Sequence, residues 1–115
     1  MKSVVVLLCW FAATSLGQDF SWERRLEAYN GRNVTVKESA TVVNTDSQQS
    51  IMMTATDENL RGTSFYRAES FHDFNASMVA LKPVGSKTCF LTTPRKSFAA
   101  TRREIRRRVA GVRHL

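Results

Sequence analysis

The stretch from His72 to Leu91, HDFNASMVALKPVGSKTCFL, decides the fold of this chain. It begins with an extended, largely apolar run, breaks at Pro83 and Gly85, and continues into a second run that contains Cys89. Two such runs around a Pro-Gly turn are typical of neighbouring antiparallel strands. The stretch therefore predicts a β-sheet, and it raises the question of what a cysteine does in the second strand.

The sequence on the N-terminal side of this stretch extends the sheet. Residues 33–45 and 50–56 are rich in Val, Thr and Ile and are separated by the polar sequence DSQQ, a pattern that favours a hairpin. Residues 57–62 form a loop that Gly62 closes, and residues 63–83 continue as extended chain. We predict an α+β fold in which residues 33–94 form an antiparallel, largely meander sheet of about four strands.

Residues 18–32 have a different spacing of apolar residues. Phe20, Trp22, Leu26 and Tyr29 are spaced mainly at three and four residues, and Asn30-Gly31 follows as a stop signal. This spacing predicts a short amphipathic helix or a flexible lead-in before the sheet.

Residues 95–115 form an arginine-rich tail. Eight cations follow Pro94 against the single acid Glu104, so the tail accounts for the whole formal net charge of +7 and the rest of the chain is neutral. Because residues 1–94 carry no net charge, we predict that the protein has no nucleic-acid partner.

The tail also has the pattern of an amphipathic helix. Its apolar residues line one narrow helical face, and arginines cover the others: Phe98, Ile105, Val109 and Val112. The pattern allows a surface helix that packs on the sheet or a cationic segment that binds an anionic membrane. A basic-residue processing site is a third possibility, at Arg103, Arg106, Arg107 and Arg108.

The N-terminal 17 residues have the layout of a secretory signal peptide. Lys2 precedes the apolar run VVVLLCWFAAT and the small-residue stretch SLG, which predicts cleavage after Gly17. An uncleaved membrane anchor is the alternative, although the apolar run is short for one. Two glycosylation sequons, at Asn33 and Asn75, agree with export. We predict a secreted, extracellular glycoprotein in which Cys89 is the sole remaining thiol.

No pattern in the sequence points to catalysis. The two histidines, His72 and His114, lack metal-ligand spacing, and the sequence contains no nucleophile elbow, phosphate loop, HExxH or CxxC motif. We interpret His72, beside Asp73, as a structural hydrogen-bonding residue. The prediction is a protein that is not an enzyme and has no catalytic residues, metal or cofactor.

The stretch from His72 to Phe98, HDFNASMVALKPVGSKTCFLTTPRKSF, resembles the core of the BRICHOS domain family, in particular its surfactant protein C precursor and gastrokine-like members. Asp73-Phe74 matches the aspartate-aromatic pair that starts a strand in this family, MVALKP matches the following strand, and KTCF matches the first family cysteine, here Cys89. The resemblance covers residues 33–108. From its spacing alone, Asp73 is expected to point to solvent at a bulge or turn, since an acid is disfavoured within an apolar run. The resemblance instead implies that Asp73 is a buried or half-buried acid whose burial raises its pKa.

The chain departs from the family pattern at its C-terminal side. Family members have closing strands after the helices and a second cysteine that pairs with the first, whereas this sequence ends at Leu115 before either. The expectation is a domain truncated before its second cysteine. Cys89 is then predicted to form a disulfide-linked homodimer or to remain a buried, inert thiol.

The resemblance implies a function in peptide binding. Family members are credited with chaperone-like shielding of β-prone segments, and this chain is expected to bind extended hydrophobic or β-prone peptide in a similar way. Two alternatives are a precursor whose arginine-rich tail is a cationic host-defence peptide, and a secreted mucosal or structural protein without a client.

Overall fold

The computed structural model of this chain describes residues 17–111 and the backbone of residues 5–8. Predictions that concern Cys9, Val112 or His114 lie outside the described residues. The strands and the helix are β1 (Val5–Leu8), β2 (Gln18–Glu27), β3 (Asn33–Asn44), β4 (Gln49–Ala55), β5 (Ala68–Asp73), β6 (Met78–Pro83), β7 (Thr88–Thr92) and α1 (Phe98–Gly111).

All the strands belong to one antiparallel sheet with the order β1-β7-β6-β5-β4-β3-β2. From β2 to β7 each strand pairs with the next in the chain, and β1 pairs with the outer side of β7. The predicted α+β class, with an antiparallel sheet and a C-terminal helix, is confirmed. The predicted number of strands, about four, is too low, because six strands lie between residues 18 and 92 and β1 adds another.

Both alternatives predicted for residues 18–32, a short helix or a flexible lead-in, are wrong for Gln18–Glu27, which is the edge strand β2. Ten consecutive residues of β2 pair with β3, from Gln18 opposite Val42 to Glu27 opposite Asn33. Along β2, every second residue from Phe20 to Leu26 is buried or half-buried, and the residues between them are exposed. This period of two belongs to a strand, and pairing with β3 outweighs the weaker helical spacing.

The single extended run predicted for residues 63–83 is divided in the structure. Residues 63–67 are a loop, and β5 and β6 form a hairpin around Phe74–Ser77. Ser77 adopts a positive φ of 53°, which permits the tight reversal between the two strands. The Pro83–Gly85 turn before β7 is present as predicted, with Gly85 at a φ of 84°.

Helix α1 packs on one face of the sheet, as predicted for a surface helix. Its buried residues Phe98 and Ile105 join a core cluster with Trp22, Ala40, Val42 and Ile51. Phe20, Met53, Phe74 and Val109 pack against this cluster from its margins. The sheet residues of this buried cluster lie on β2, β3 and β4.

Replacing Ile51 by Ala tests this core. Ile51 is fully buried, and its truncation leaves a cavity beneath α1 that is expected to lower the free energy of unfolding by roughly 2–5 kcal/mol. Met78→Ala is the matched control, since Met78 is 43% exposed, and its effect is expected to stay below about 1 kcal/mol. Urea denaturation followed by circular dichroism measures both, and equal losses would contradict this assignment of the core.

Candidate functional site

The outer side of β7 is covered by a short apolar strand from the beginning of the chain. Val5–Leu8, with the sequence VVLL, runs antiparallel to β7 with Val5 opposite Leu91 and Leu8 opposite Thr88. The pairing covers four residues, and β7 itself is only five residues long. The outer edge of β7 therefore accommodates an extended aliphatic segment along four of its five residues.

Cys89 lies in the middle of that strand, opposite Leu7. Its side chain is fully buried and is disulfide-bonded. The predictions of a homodimer or an inert thiol concern the chain without residues 1–17, and they stay predictions.

Asp73 is half-buried at the end of β5, where it holds the turn into β6. Its Oδ1 accepts hydrogen bonds from the backbone N–H groups of Asn75 and Ala76, both at 3.1 Å. Two such bonds explain an acid at the boundary of an apolar run, since the carboxylate replaces backbone acceptors in the turn. Asp73 and Cys89 lie on strands separated by β6, so the structure does not bring them together.

Phe74 and His72 link β5 to the helix. The Phe74 ring meets the Phe98 ring edge to face at 5.4 Å between centroids and stacks on the His72 imidazole at 6.0 Å. The Nε2 atom of His72 lies 3.1 Å from the Ser70 hydroxyl oxygen, as expected for a structural histidine. Burial lowers the pKa of His72 because the charged imidazolium is poorly solvated there.

Both sequons lie at the surface. Asn33 is exposed at the start of β3, and Asn75 is exposed in the β5–β6 turn. The Asn75 side-chain oxygen accepts a hydrogen bond from the Gln49 backbone N–H at 2.6 Å. Either position is accessible to a glycan.

The arginines predicted as a processing site divide into two groups on α1. Arg103, Arg106 and Arg107 are exposed, whereas Arg108 is half-buried. Arg108 bonds Glu104 through Nη2 at 2.7 Å, and its Nη1 lies 3.7 Å from Oε1 of Glu38. Arg108 is therefore part of the contact between the helix and the sheet.

Glu38 is a buried charged residue that the sequence patterns did not single out. This carboxylate is only 7% exposed; it accepts a hydrogen bond from Trp22 Nε1 at 3.0 Å and pairs with Arg24 Nε at 2.7 Å. The available signal is the alternation of β3, in which Glu38 occupies an inward position between Val36 and Ala40. A charge at a buried position requires partners on neighbouring elements.

No family model matches the chain, and comparisons with curated proteins and with solved structures likewise find no match. Within the described ranges, no group of three or more His, Cys, Asp or Glu side chains is placed to hold a metal ion. Over the same ranges, the chain contains no helix with the length and apolar content needed to cross a bilayer.

The Glu38→Gln variant tests the contact between helix and sheet. Gln removes the charge that Arg24 and Arg108 share, so the free energy of unfolding is expected to fall by roughly 1–3 kcal/mol. Glu58→Gln is the control, because Glu58 also pairs with two arginines but its side chain is 70% exposed, and its loss is expected to stay below about 1 kcal/mol. Equal losses of the free energy of unfolding in the two variants would show that burial of Glu38 does not strengthen its ion pairs.

His72 predicts a pH dependence of stability. Since its pKa is lowered in the folded chain, the unfolded chain binds more protons as the pH falls below about 6.5, and the free energy of unfolding decreases. The His72→Gln variant is expected to lose less stability than the wild type between pH 7 and pH 5. Lys96 and Arg108 lower the pKa of Glu104, whose stabilising contribution disappears only below about pH 4.5, outside this window. If the urea midpoints of the wild type and the variant change equally between pH 7 and pH 5, His72 is not the source of the pH dependence of stability.

Proposed function

We propose that this chain is a secreted, non-enzymatic, BRICHOS-like module that binds extended hydrophobic or β-prone peptide along the outer edge of β7. The observation that carries the proposal is the antiparallel pairing of Val5–Leu8 with Thr88–Leu91. This pairing of an extended aliphatic segment of the chain itself supports antiparallel binding of such a peptide at the same edge.

Secretion links this position to peptide binding. Removal of residues 1–17, the proposed signal peptide, takes β1 away and makes the outer edge of β7 accessible to another extended strand. Exposed strand edges pair with extended chains through main-chain hydrogen bonds. The Val and Leu residues of β1 indicate the preferred side chains, and aliphatic residues of this kind are common in β-prone segments.

The opposite edge of the sheet is less suited to peptide. Exposed charged residues alternate along β2, at Asp19, Glu23, Arg25 and Glu27. Charges along an edge strand oppose pairing with an apolar chain. This difference supports β7, rather than β2, as the binding edge.

The packing of the tail favours a binding module over a host-defence precursor. Phe98 and Ile105, which would form the membrane-binding stripe of a free peptide, are buried against the sheet. Arg108 is likewise engaged with Glu38 and Glu104. A membrane-active tail would have to give up these contacts, so we assign α1 a structural role.

Peptide binding to the secreted protein tests the proposal. The chain is produced in secreting animal cells, and N-terminal sequencing of the product is expected to begin at Gln18. A fluorescent VVLL peptide with flanking lysines is then titrated by polarisation, together with two versions N-methylated on alternate residues. One version blocks the N–H groups that face β7 and is expected to bind at least about tenfold more weakly, whereas the other retains binding.

Two controls complete this experiment. A peptide of the same charge with Asn in place of two aliphatic residues is expected not to bind, since β7 pairs with an aliphatic strand in the structure. If both N-methylated peptides bind as well as the parent, edge pairing is excluded. If no peptide binds, the protein has no client of this type and the alternative of a client-free secreted protein is favoured.

A further inference from the structure

A cleft of about 350 Å³ lies between α1 and the strands beside it. Its apolar lining includes Met53 on β4, Val79 on β6 and Ile105 on α1, and His72 lies with them on β5. The volume is at the lower end of the range of roughly 300–1,000 Å³ that is typical of small-molecule sites. The cleft is distinct from the outer edge of β7, where we propose that peptide binds.

The strands beneath the cleft are unsuited to an extended peptide. β4, β5 and β6 are interior strands, each paired on both sides, so their ladder hydrogen bonds are already formed. A peptide lying on them would desolvate its own backbone N–H and C=O groups without new partners. An aliphatic chain has no such groups, and its burial against Met53, Val79 and Ile105 is favourable.

The histidine in the cleft is compatible with an apolar ligand. Burial lowers the pKa of His72, so its imidazole is neutral at neutral pH. Its Nε2 is near the Ser70 hydroxyl and its ring stacks on Phe74. The lower part of the cleft therefore carries no net charge.

The rim of the cleft is cationic. Arg95, Lys96, Arg108 and Glu104 line it, giving three positive charges against one negative charge, a net +2. Glu104 already binds both Lys96 and Arg108. Arg95 is exposed and makes no ion pair with any residue in the part of the chain that the structure describes, so it is available to a ligand.

From this combination we propose that the cleft binds a single-chain amphiphile with an aliphatic tail and an anionic head. The tail lies against Met53, Val79 and Ile105, and the head lies beside Arg95. Charge complementarity at the rim and the absence of free backbone partners below it select this class of ligand over cations and over peptides.

Titration with ten-carbon amphiphiles tests the site in the protein purified from secreting cells. Decanoate and decyltrimethylammonium share the same tail and are compared by calorimetry below their micelle concentrations. Decanoate is expected to saturate one site, whereas the cationic amphiphile shows no saturable binding. Shortening the fatty acid by one methylene at a time is expected to weaken binding roughly fourfold per step, as the buried apolar area decreases.

Two arginine variants locate the head. Arg95→Glu reverses the charge at the rim and is expected to weaken decanoate binding roughly tenfold. Arg103→Glu is the matched control, because Arg103 is exposed on α1 and does not line the cleft, and it is expected to change the affinity less than twofold. Equal weakening by both variants would assign binding to the general charge of the tail and overturn the site.

Nuclear magnetic resonance separates the cleft from the peptide edge. Decanoate is expected to shift the methyl signals of Met53, Val79 and Ile105 and to leave binding of the VVLL peptide unchanged. Displacement of the peptide by decanoate, with no shift at these methyl groups, would show that the amphiphile occupies the β7 edge instead. Loss of peptide binding alone contradicts the proposed function and leaves this site standing.

Discussion

The buried carboxylate of Glu38 is the interaction on which the arrangement of this fold depends. It lies on β3 and receives the indole N–H of Trp22 and the guanidinium of Arg24 from β2, and Arg108 approaches it from α1. An edge strand, its neighbour and the helix thus converge on one acid. A buried carboxylate is costly without such partners, and detachment of the helix would remove Arg108, one of the two cations beside Glu38. The apolar contacts of Phe98 and Ile105 then complete the attachment.

Anchoring the helix at this end of the sheet determines what remains available elsewhere. With α1 held over β2 and β3, strands β5 to β7 lie beside it, and the segment between β7 and the helix crosses this gap. Arg95 and Lys96 belong to that crossing segment, so the cations of the tail collect above apolar side chains of the sheet. The cations of the tail therefore have different surroundings. Arg108 forms an ion pair between the helix and the sheet, whereas Arg95 lines the cleft without an ion pair among the described residues.

The sequence predicted the elements whose signals are local. The β3–β4 hairpin, the turn at Gly85 and helix α1 each carry their own pattern of turn residues or periodicity. Strand β2 was missed because Phe20, Trp22 and Leu26 satisfy both a helical and an alternating spacing, and only pairing with β3 decides between them. The role of Glu38 depends on contacts with β2 and α1 that are distant in sequence. The family resemblance singled out Asp73 and Cys89, and neither position indicates which residues attach the helix.

The two ends of the sheet differ in a way that bears on binding. At one end, β2 pairs along ten residues, carries exposed charges and is tied to the helix through Trp22 and Arg24. At the other end, β7 is short, and its outer side is paired with the aliphatic segment VVLL, which lies within the proposed signal peptide. Charges along β2 oppose pairing with an apolar strand, whereas the outer side of β7 already pairs with an aliphatic strand. The Glu38 contacts that attach α1 to the sheet lie on β2 and β3, at the opposite side of the sheet from β7. The same separation would allow the proposed peptide binding at the edge and the proposed ligand binding in the cleft to proceed independently.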